Sequence, residues 1–286
     1  MPELPEVETI REDLSKLVIG KKIVDIEVRA KKIVQPHNFS QILQGKKIIK
    51  IERRAKLLIF KISSGVILLV HLKMTGQLVY RAKNGVIGAI GGHPILQNLQ
   101  ELPNKFSHVI FTLADQSHLF FNDVRKFGYL KIVDEEALEK VKKAYGIEPF
   151  TKDFTLKNFT AVILSRPKMK IKQLLLDQKL IAGLGNIYSD EACFYAGIQP
   201  QRPAGTLQKL EIKNLFLAII KVLKKSLKYR GTSSETYVDA YGRQGGFVPH
   251  LMVYGRVGEK CKKCSTKLVK LKIGGRTSIH CPHCQK

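Results

Sequence analysis

The sequence predicts an α+β chain in three parts: an N-terminal helix on a two-layered β-sandwich, then a helical domain, then a small C-terminal β-hairpin. Three observations predict it. The hydrophobic period is helical over residues 3–18, switches to short β-type runs, and returns to helical after about residue 133. Four of the five cysteines form two C-x2-C pairs close to the C-terminus. Basic residues are spread along the whole chain, 49 Lys and Arg against 24 Asp and Glu, for a net charge of +25.

The first helix is read from ELPEVETIREDLSKLV (3–18), which places Leu4, Val7, Ile10, Leu14, Leu17 and Val18 on one stripe. The β-type runs follow as KIVDIEV, KIIKIE, LLIFKI, VILLVHL, SHVIFTL, HLFFND and GYLKIV, broken by Ser-Ser-Gly and Asp-Gln-Ser turns. Seven or eight short strands at this spacing suggest a β-sandwich against which the first helix packs. Residues 81–104 interrupt the runs with Gly85, Gly88, Gly91 and Gly92. No strand-loop-helix context follows them, so the stretch reads as a long flexible hairpin loop and not as a phosphate loop.

Helical periodicity then governs DEEALEKVKKAY, TLKNFTAVILSR, MKIKQLLLDQ, SDEACFYAG and TLQKLEIKNLFLAIIKVLKKSLK. A polar, glycine-rich loop follows (229–247), and KLVKLKI with RTSIH forms the terminal hairpin. The expected division is a sandwich domain over 1–133, a linker over 134–150, a helical domain over 151–247 and the hairpin over 248–286.

Hydrophobic residues make up 44% of the 286, so the chain is globular. A net +25 predicts attraction to a polyanion, nucleic acid before an acidic membrane surface. VILLVHL (66–72) is far too short to span a bilayer, and a cytosolic protein is the expectation.

Cys261 and Cys264, then Cys281 and Cys284, with sixteen residues between the pairs, match the spacing of a four-thiolate zinc site. Two disulfides are the alternative, which a cytosolic chain seldom keeps. Four protein thiolates leave no open position for water, so one such zinc ion is structural. Its binding supplies about 10–16 kcal/mol of folding free energy in small zinc peptides. His280 and His283 adjoin the set without being needed for it, and Cys193 reads as a buried helix residue.

Two further stretches invite chemistry. The opening PELPEVET either starts a helix, with proline and acidic residues suited to its first turn, or presents Pro2 as an N-terminal secondary amine once Met1 is removed. IAGLGNIYSDEA (181–192) either connects two helices or offers a phosphate the N–H groups of a helix start, with Asn186 beside them.

These features, with HLKMTG (71–76), RRAK (53–56), DVRKFG (123–128), VYGRVGEKC (253–261) and GRTSIHCPHC (275–284), closely resemble the formamidopyrimidine-DNA glycosylase family over essentially the whole chain. The resemblance implies a β-sandwich domain, a helix-two-turn-helix domain and a zinc finger. It implies a bacterial, cytoplasmic, nucleoid-associated monomer that removes oxidised purines from double-stranded DNA and cuts at the abasic site. Pro2 would be the nucleophile, Glu3 the acid or base, and Lys56 and Arg276 the phosphate contacts that assist elimination. Met74, Arg125 and Phe127 would fill the void left by the flipped base, while His108, Lys168, Lys172 and Asn186 would also contact DNA. The loop 229–247 would cover the flipped base.

Two departures stand out. KFSH (105–108) keeps His108 but has Phe106 where the family usually has histidine, and the preceding loop is longer than usual. Two alternatives remain. An endonuclease VIII-like enzyme for oxidised pyrimidines typically opens Pro-Glu-Gly-Pro-Glu and lacks the full wedge, so Leu4 and the wedge favour the purine enzyme. A non-catalytic zinc-ribbon protein that binds damaged DNA explains charge and zinc but not Pro2, Glu3 or Lys56.

Overall fold

In the computed structural model, which describes residues 1–92, 101–232 and 245–286, the β-type runs pair into two five-stranded sheets. The strands are β1 (Ile23–Val28), β2 (Val34–Gln35), β3 (Ile48–Arg54), β4 (Leu57–Ile62), β5 (Ile67–His71), β6 (Gly76–Arg81), β7 (Ile87–Gly92), β8 (Ser107–Leu113), β9 (His118–Asp123) and β10 (Tyr129–Val133). One sheet runs β1-β8-β9-β6-β7 and the other β2-β10-β5-β4-β3. All pairings are antiparallel except β2 with β10. Leu58, Phe60, Leu68 and Val70 of one sheet share a core with Leu78, Val109, Phe111 and Phe121 of the other. β5 is buried throughout its length, which is why VILLVHL reads as a continuous apolar run and not an alternating one.

α1 (Leu4–Val18) adds Val7, Ile10, Leu14 and Val18 to that core. The long loop expected over 81–104 is corrected in part: residues 87–92 form β7, an edge strand paired with β6. Gly91 explains why the segment lacks a strand signature. A Cβ there would meet the Ile10 side chain at 2.7 Å, so the approach of α1 requires glycine. Residues 93–100 of that stretch lie outside the described residues.

Two compact units result, residues 1–142 with 229–246, and residues 143–228 with 247–286. The second contains α4 (Leu156–Leu164), α5 (Ile171–Leu176), α6 (Asn186–Ala196), α7 (Lys209–Lys228) and a hairpin of β11 (Val269–Ile273) and β12 (Arg276–His280). α3 (Glu135–Lys143) falls where the two units divide and fills half of the stretch expected to be linker. α7 buries Ile212, Leu215, Ile219, Val222 and Leu223, the stripe expected of a packed helix. Its Phe216 stacks on Phe154 at 5.0 Å between centroids and lies 5.7 Å from Phe159. No helix among the described residues is long and apolar enough to cross a membrane.

At the end of β5 the chain turns through Leu72–Gly76, and His71 caps the turn: its Nδ1 accepts the Lys73 N–H at 3.0 Å. The ring proton therefore sits on Nε2. Burial, then the charges of Lys73 and Lys56, lower the His71 pKa from 6.5 to about 3. Because the folded chain refuses a proton that the unfolded chain accepts, His71 costs no stability above pH 6.5 and an increasing amount as the pH falls toward 3. Denaturant unfolding between these values should show a stability loss approaching about 1.4 kcal/mol per pH unit from this group. His71→Gln, whose side-chain oxygen can still accept from Lys73, should flatten that slope; an unchanged slope would assign the loss to other groups.

Candidate functional site

In the first unit the chemistry expected at the N-terminus is built on α1. Pro2 and Glu3 are buried at its start. Glu3 is the N-cap in a capping box: its N–H donates to Glu6 Oε2 at 2.9 Å while its own carboxylate takes the Glu6 N–H. The other Glu6 oxygen accepts the Thr232 N–H at 2.8 Å. Further along the helix, buried Asp13 pairs with the Arg230 guanidinium. Gly246 N–H donates to the Tyr229 carbonyl at 2.9 Å, closing the stem of the 229–246 segment against itself. The loop expected to cover a base falls mainly on 233–244, outside the described residues.

Lys56 follows Ala55 in the tight turn between β3 and β4, where Ala55 has φ +53°, and it is 4% exposed. Arg53 braces this turn by donating to the Ala55 carbonyl at 2.8 Å and to Glu8 of α1 at 2.7 Å. Burial opposes the Glu8 charge, but the Arg11 and Arg53 contacts outweigh it and hold the carboxyl below its usual range. The Glu8–Arg53 link thereby ties the Lys56 turn to the helix that begins at Glu3. Sequence reasoning missed this brace; RRAK and the early glutamates contain it, but nothing local pairs them.

Met74 lies half-buried in the Leu72–Gly76 turn, and Arg125 and Phe127 in the 123–128 turn. Phe127 is 53% exposed and therefore packs no core, and the Arg125 guanidinium lies over its ring at 4.5 Å. Asp123, fully buried at the end of β9, joins these two turns. Its Oδ1 accepts the Thr75 hydroxyl and the Arg125 N–H (3.1 Å), and its Oδ2 accepts the Gly128 N–H at 2.7 Å. His108 is corrected here. It is 3% exposed on β8, a strand flanked by β1 and β9, and its Nε2 contacts the Asp123 carbonyl at 2.7 Å. Its place is within the sheet, not at a DNA surface. Phe106 is half-buried, and its carbonyl accepts the Asp123 N–H at 3.1 Å.

In the second unit the loop from α5 to α6 is stitched by Gln178, which accepts the Gly183 N–H at 2.9 Å and donates to the Leu184 carbonyl at 2.8 Å. Gly183, at φ +94°, makes the turn that puts Gly185 at the N-cap and Asn186 at the first position of α6. The Asn186 side-chain oxygen is buried without a hydrogen-bond partner among the described residues. Lys168 is exposed. Lys172 is corrected. It has no exposed surface, and its ammonium bonds Asp190 at 2.6 Å and the Thr277 carbonyl at 3.1 Å. Asp190 also accepts the Ser278 hydroxyl and the Ile279 N–H (3.1 Å), so the pair fastens β12 to α5 and α6. Next to it, buried Glu191 accepts the N–H groups of Met252, Val253 and Tyr254 at 2.9 Å. Arg276 is exposed at the start of β12, following a Gly274–Gly275 turn with φ +55° and +76°.

The four expected cysteines converge, with their sulfurs all within 4.8 Å of one another. Tetrahedral Zn–S bonds of about 2.3 Å require sulfurs about 3.8 Å apart. The spacings of 4.0 Å (Cys261–Cys284), 3.5 Å (Cys264–Cys281) and 3.3 Å (Cys264–Cys284) fit that requirement. Burial, then the neighbouring thiols, push Cys284 up to about 12, while hydrogen bonds with Thr266 bring Cys264 down to about 5. A dication allows all four to be thiolates. Backbone N–H groups of Lys263 and Cys284 point at sulfur, both at 3.4 Å, as metal knuckles do.

Fold and site together define a zinc-stapled protein that joins a β-sandwich to a helix-two-turn-helix unit. Three family models match it in order: the formamidopyrimidine-DNA glycosylase N-terminal domain over 1–130, the H2TH domain of that glycosylase over 145–238, and the zinc finger found in FPG and IleRS over 258–286. The formamidopyrimidine-DNA glycosylase of Pelotomaculum thermopropionicum is 42% identical, covering 100% of this chain and 99% of its own. That of Desulfitobacterium hafniense is 41% identical with full coverage of both chains, 100% each. Among solved structures, the Lactococcus lactis Fpg in complex with DNA containing an abasic site superposes with a TM-score of 0.87 at 36% identity, over 99% of each chain. The wild-type Lactococcus lactis Fpg with N7-benzyl-Fapy-dG DNA gives 0.87 at 35% identity over 100% of each. The chain belongs to the formamidopyrimidine-DNA glycosylase family.

The buried pair and the cysteine cluster of the second unit can each be tested. Lys172→Met, which strands the buried Asp190 charge, should cost about 3–5 kcal/mol in denaturant unfolding. Lys168→Met, at an exposed position, should stay within about 0.5 kcal/mol of the parent. Stripping the zinc with a chelator should make four thiols react rapidly with a thiol reagent, while Cys193, buried in α6, reacts only on unfolding. Five equally fast thiols would show that Cys193 is not protected by that helix.

Proposed function

We propose that this chain is a base-excision-repair DNA glycosylase and abasic-site lyase that removes oxidised purines, 8-oxoguanine and formamidopyrimidines, from double-stranded DNA. The observation that carries the reading is likeness over the whole chain, in sequence and in fold, to glycosylases of this name and to one of them bound to abasic-site and Fapy-dG DNA. The net charge of +25 suits a polyanionic substrate. It acts in the bacterial cytoplasm, at the nucleoid, as a monomer.

Pro2 is the nucleophile. With Met1 removed its ring nitrogen attacks C1′ of the damaged nucleotide, the C1′–N glycosidic bond breaks, and the electron pair leaves with the base, which takes up a proton. Opening of the sugar gives a C1′ iminium, whose positive charge acidifies the C2′ proton. Loss of that proton expels the 3′ phosphate, and a second elimination expels the 5′ phosphate. Glu3 exchanges protons at the sugar. Its place in the capping box supports this role by fixing the carboxyl beside the nucleophile.

Lys56 and Arg276 hold the phosphates that depart, and Lys168 and Asn186 hold phosphates that flank the kink. Met74 fills the space vacated by the flipped base, Arg125 hydrogen-bonds its former partner, and Phe127 stacks. The exposure of Phe127 supports this, since the ring has no packing role of its own. Zinc keeps the Arg276 hairpin folded and takes no part in the bond changes.

Incubation with an 8-oxoguanine:cytosine duplex and sodium borohydride should reduce the iminium to a stable adduct whose cross-linked peptide maps to Pro2. An adduct on a lysine would overturn the nucleophile. Failure to trap with that duplex and with an abasic one, in zinc-loaded protein lacking Met1, would overturn the lyase reading.

A further inference from the structure

Met74 comes from one turn, Arg125 and Phe127 from another, and neither turn is a regular element. To enter a base step together, the three side chains must keep a fixed relation while the duplex pushes back. Asp123 supplies it. Its carboxylate takes one donor from the Met74 turn, the Thr75 hydroxyl, and two from the other, the Arg125 and Gly128 N–H groups. The Arg125 N–H also reaches Thr75 Oγ1 at 3.2 Å, so the two turns share a hydrogen-bonded ring. The aspartate backbone is itself fixed, its N–H by the Phe106 carbonyl at 3.1 Å and its carbonyl by His108 at 2.7 Å. Glycine at 128 lets the second turn close over it: a Cβ there would meet the His71 carbonyl at 2.9 Å and Asp123 Oδ2 at 3.1 Å.

We propose that Asp123 is the positioning residue of the wedge, holding the Met74 turn and the Arg125–Phe127 turn as one rigid piece so that base-pair opening and void filling occur together. The inference rests on the wedge reading given above. Asp123 touches no substrate and acts only through the two turns. The carboxylate matters, not merely the space it fills, because three donors converge on two oxygens and an amide has only one acceptor to offer them.

Asp123→Asn, close in size, should lower the single-turnover rate of 8-oxoguanine excision from a duplex by tenfold to about a hundredfold, the scale of loss from a misplacement of about 1 Å. On a single-stranded abasic oligonucleotide, which has no pair to open, borohydride trapping should proceed at the parent rate. Phe127→Ala measured alongside separates the two claims. If Phe127→Ala leaves duplex excision unchanged, the wedge reading fails and takes this inference with it. If Phe127→Ala is slow but Asp123→Asn is not, the wedge stands and Asp123 does not position it. The double variant should be little worse than the slower single one; full additivity, or equal losses on duplex and single strand, would reduce Asp123 to an ordinary structural residue. Should Asp123→Asn fail to fold, Thr75→Val removes the hydroxyl that bridges the turns and is read in the same assays.

Discussion

A carboxylate taken out of water must be matched by donors, and in this chain the donors belong to the segments that carry the candidate chemistry. Glu6, Asp123, Asp190 and Glu191 are each no more than 2% exposed. Leaving such a charge unmatched costs far more than a neutral polar group would. Each therefore dictates where its partners lie. Glu6 fixes the Glu3 N–H and the Thr232 N–H, Asp123 the Met74 and Arg125 turns, Asp190 the strand that begins with Arg276, and Glu191 the approach to the first cysteine pair.

The acids sit on regular elements, α1, the end of β9 and α6, while their donors sit mostly on turns. That division of labour suits a site whose residues come from loops. A helix or strand held by core packing provides a rigid reference, and a charge-assisted hydrogen bond transfers that rigidity to a loop with no core of its own. Zinc does the same for the terminal hairpin, with four sulfurs in place of the carboxylate. In both units the scaffold can then tolerate exposed side chains on the turns, Arg125 and Phe127 in one and Arg276 in the other.

What was legible in the sequence was local. The four cysteines declare their geometry by spacing alone, and the α1 stripe by its period. β7 was not legible because Gly91 and Gly92, needed for close approach to Ile10 and β6, erase strand character. Lys172 misled for a different reason. The resemblance set it with Lys168 among the DNA contacts, yet the lysine lies beside Ile171 and Leu175 on the buried side of α5. Its partner Asp190 stands 18 residues away, beyond the reach of any local pattern. His108 was misplaced because β8 is an interior strand whose Ser107 and His108 are buried with its apolar residues, a fact set by pairing and not by composition. The roles expected of Glu3, Arg125 and Phe127 came from the family resemblance, which also decided between the two readings of Pro2, and Asp123 lay unremarked within the same DVRKFG motif.

The family is that of glycosylases for oxidised purines, and the proposed reading adds a braced wedge that opens the base pair and an N-terminal amine that cuts. The most direct measurement is product analysis on two end-labelled duplexes, one with 8-oxoguanine opposite cytosine and one with an oxidised pyrimidine opposite its normal partner. Efficient release of 8-oxoguanine is expected, leaving a one-nucleotide gap bounded by phosphate at both ends, with the pyrimidine duplex cut far more slowly. Preferential cutting of the pyrimidine duplex, or binding to both without any strand break, would contradict it.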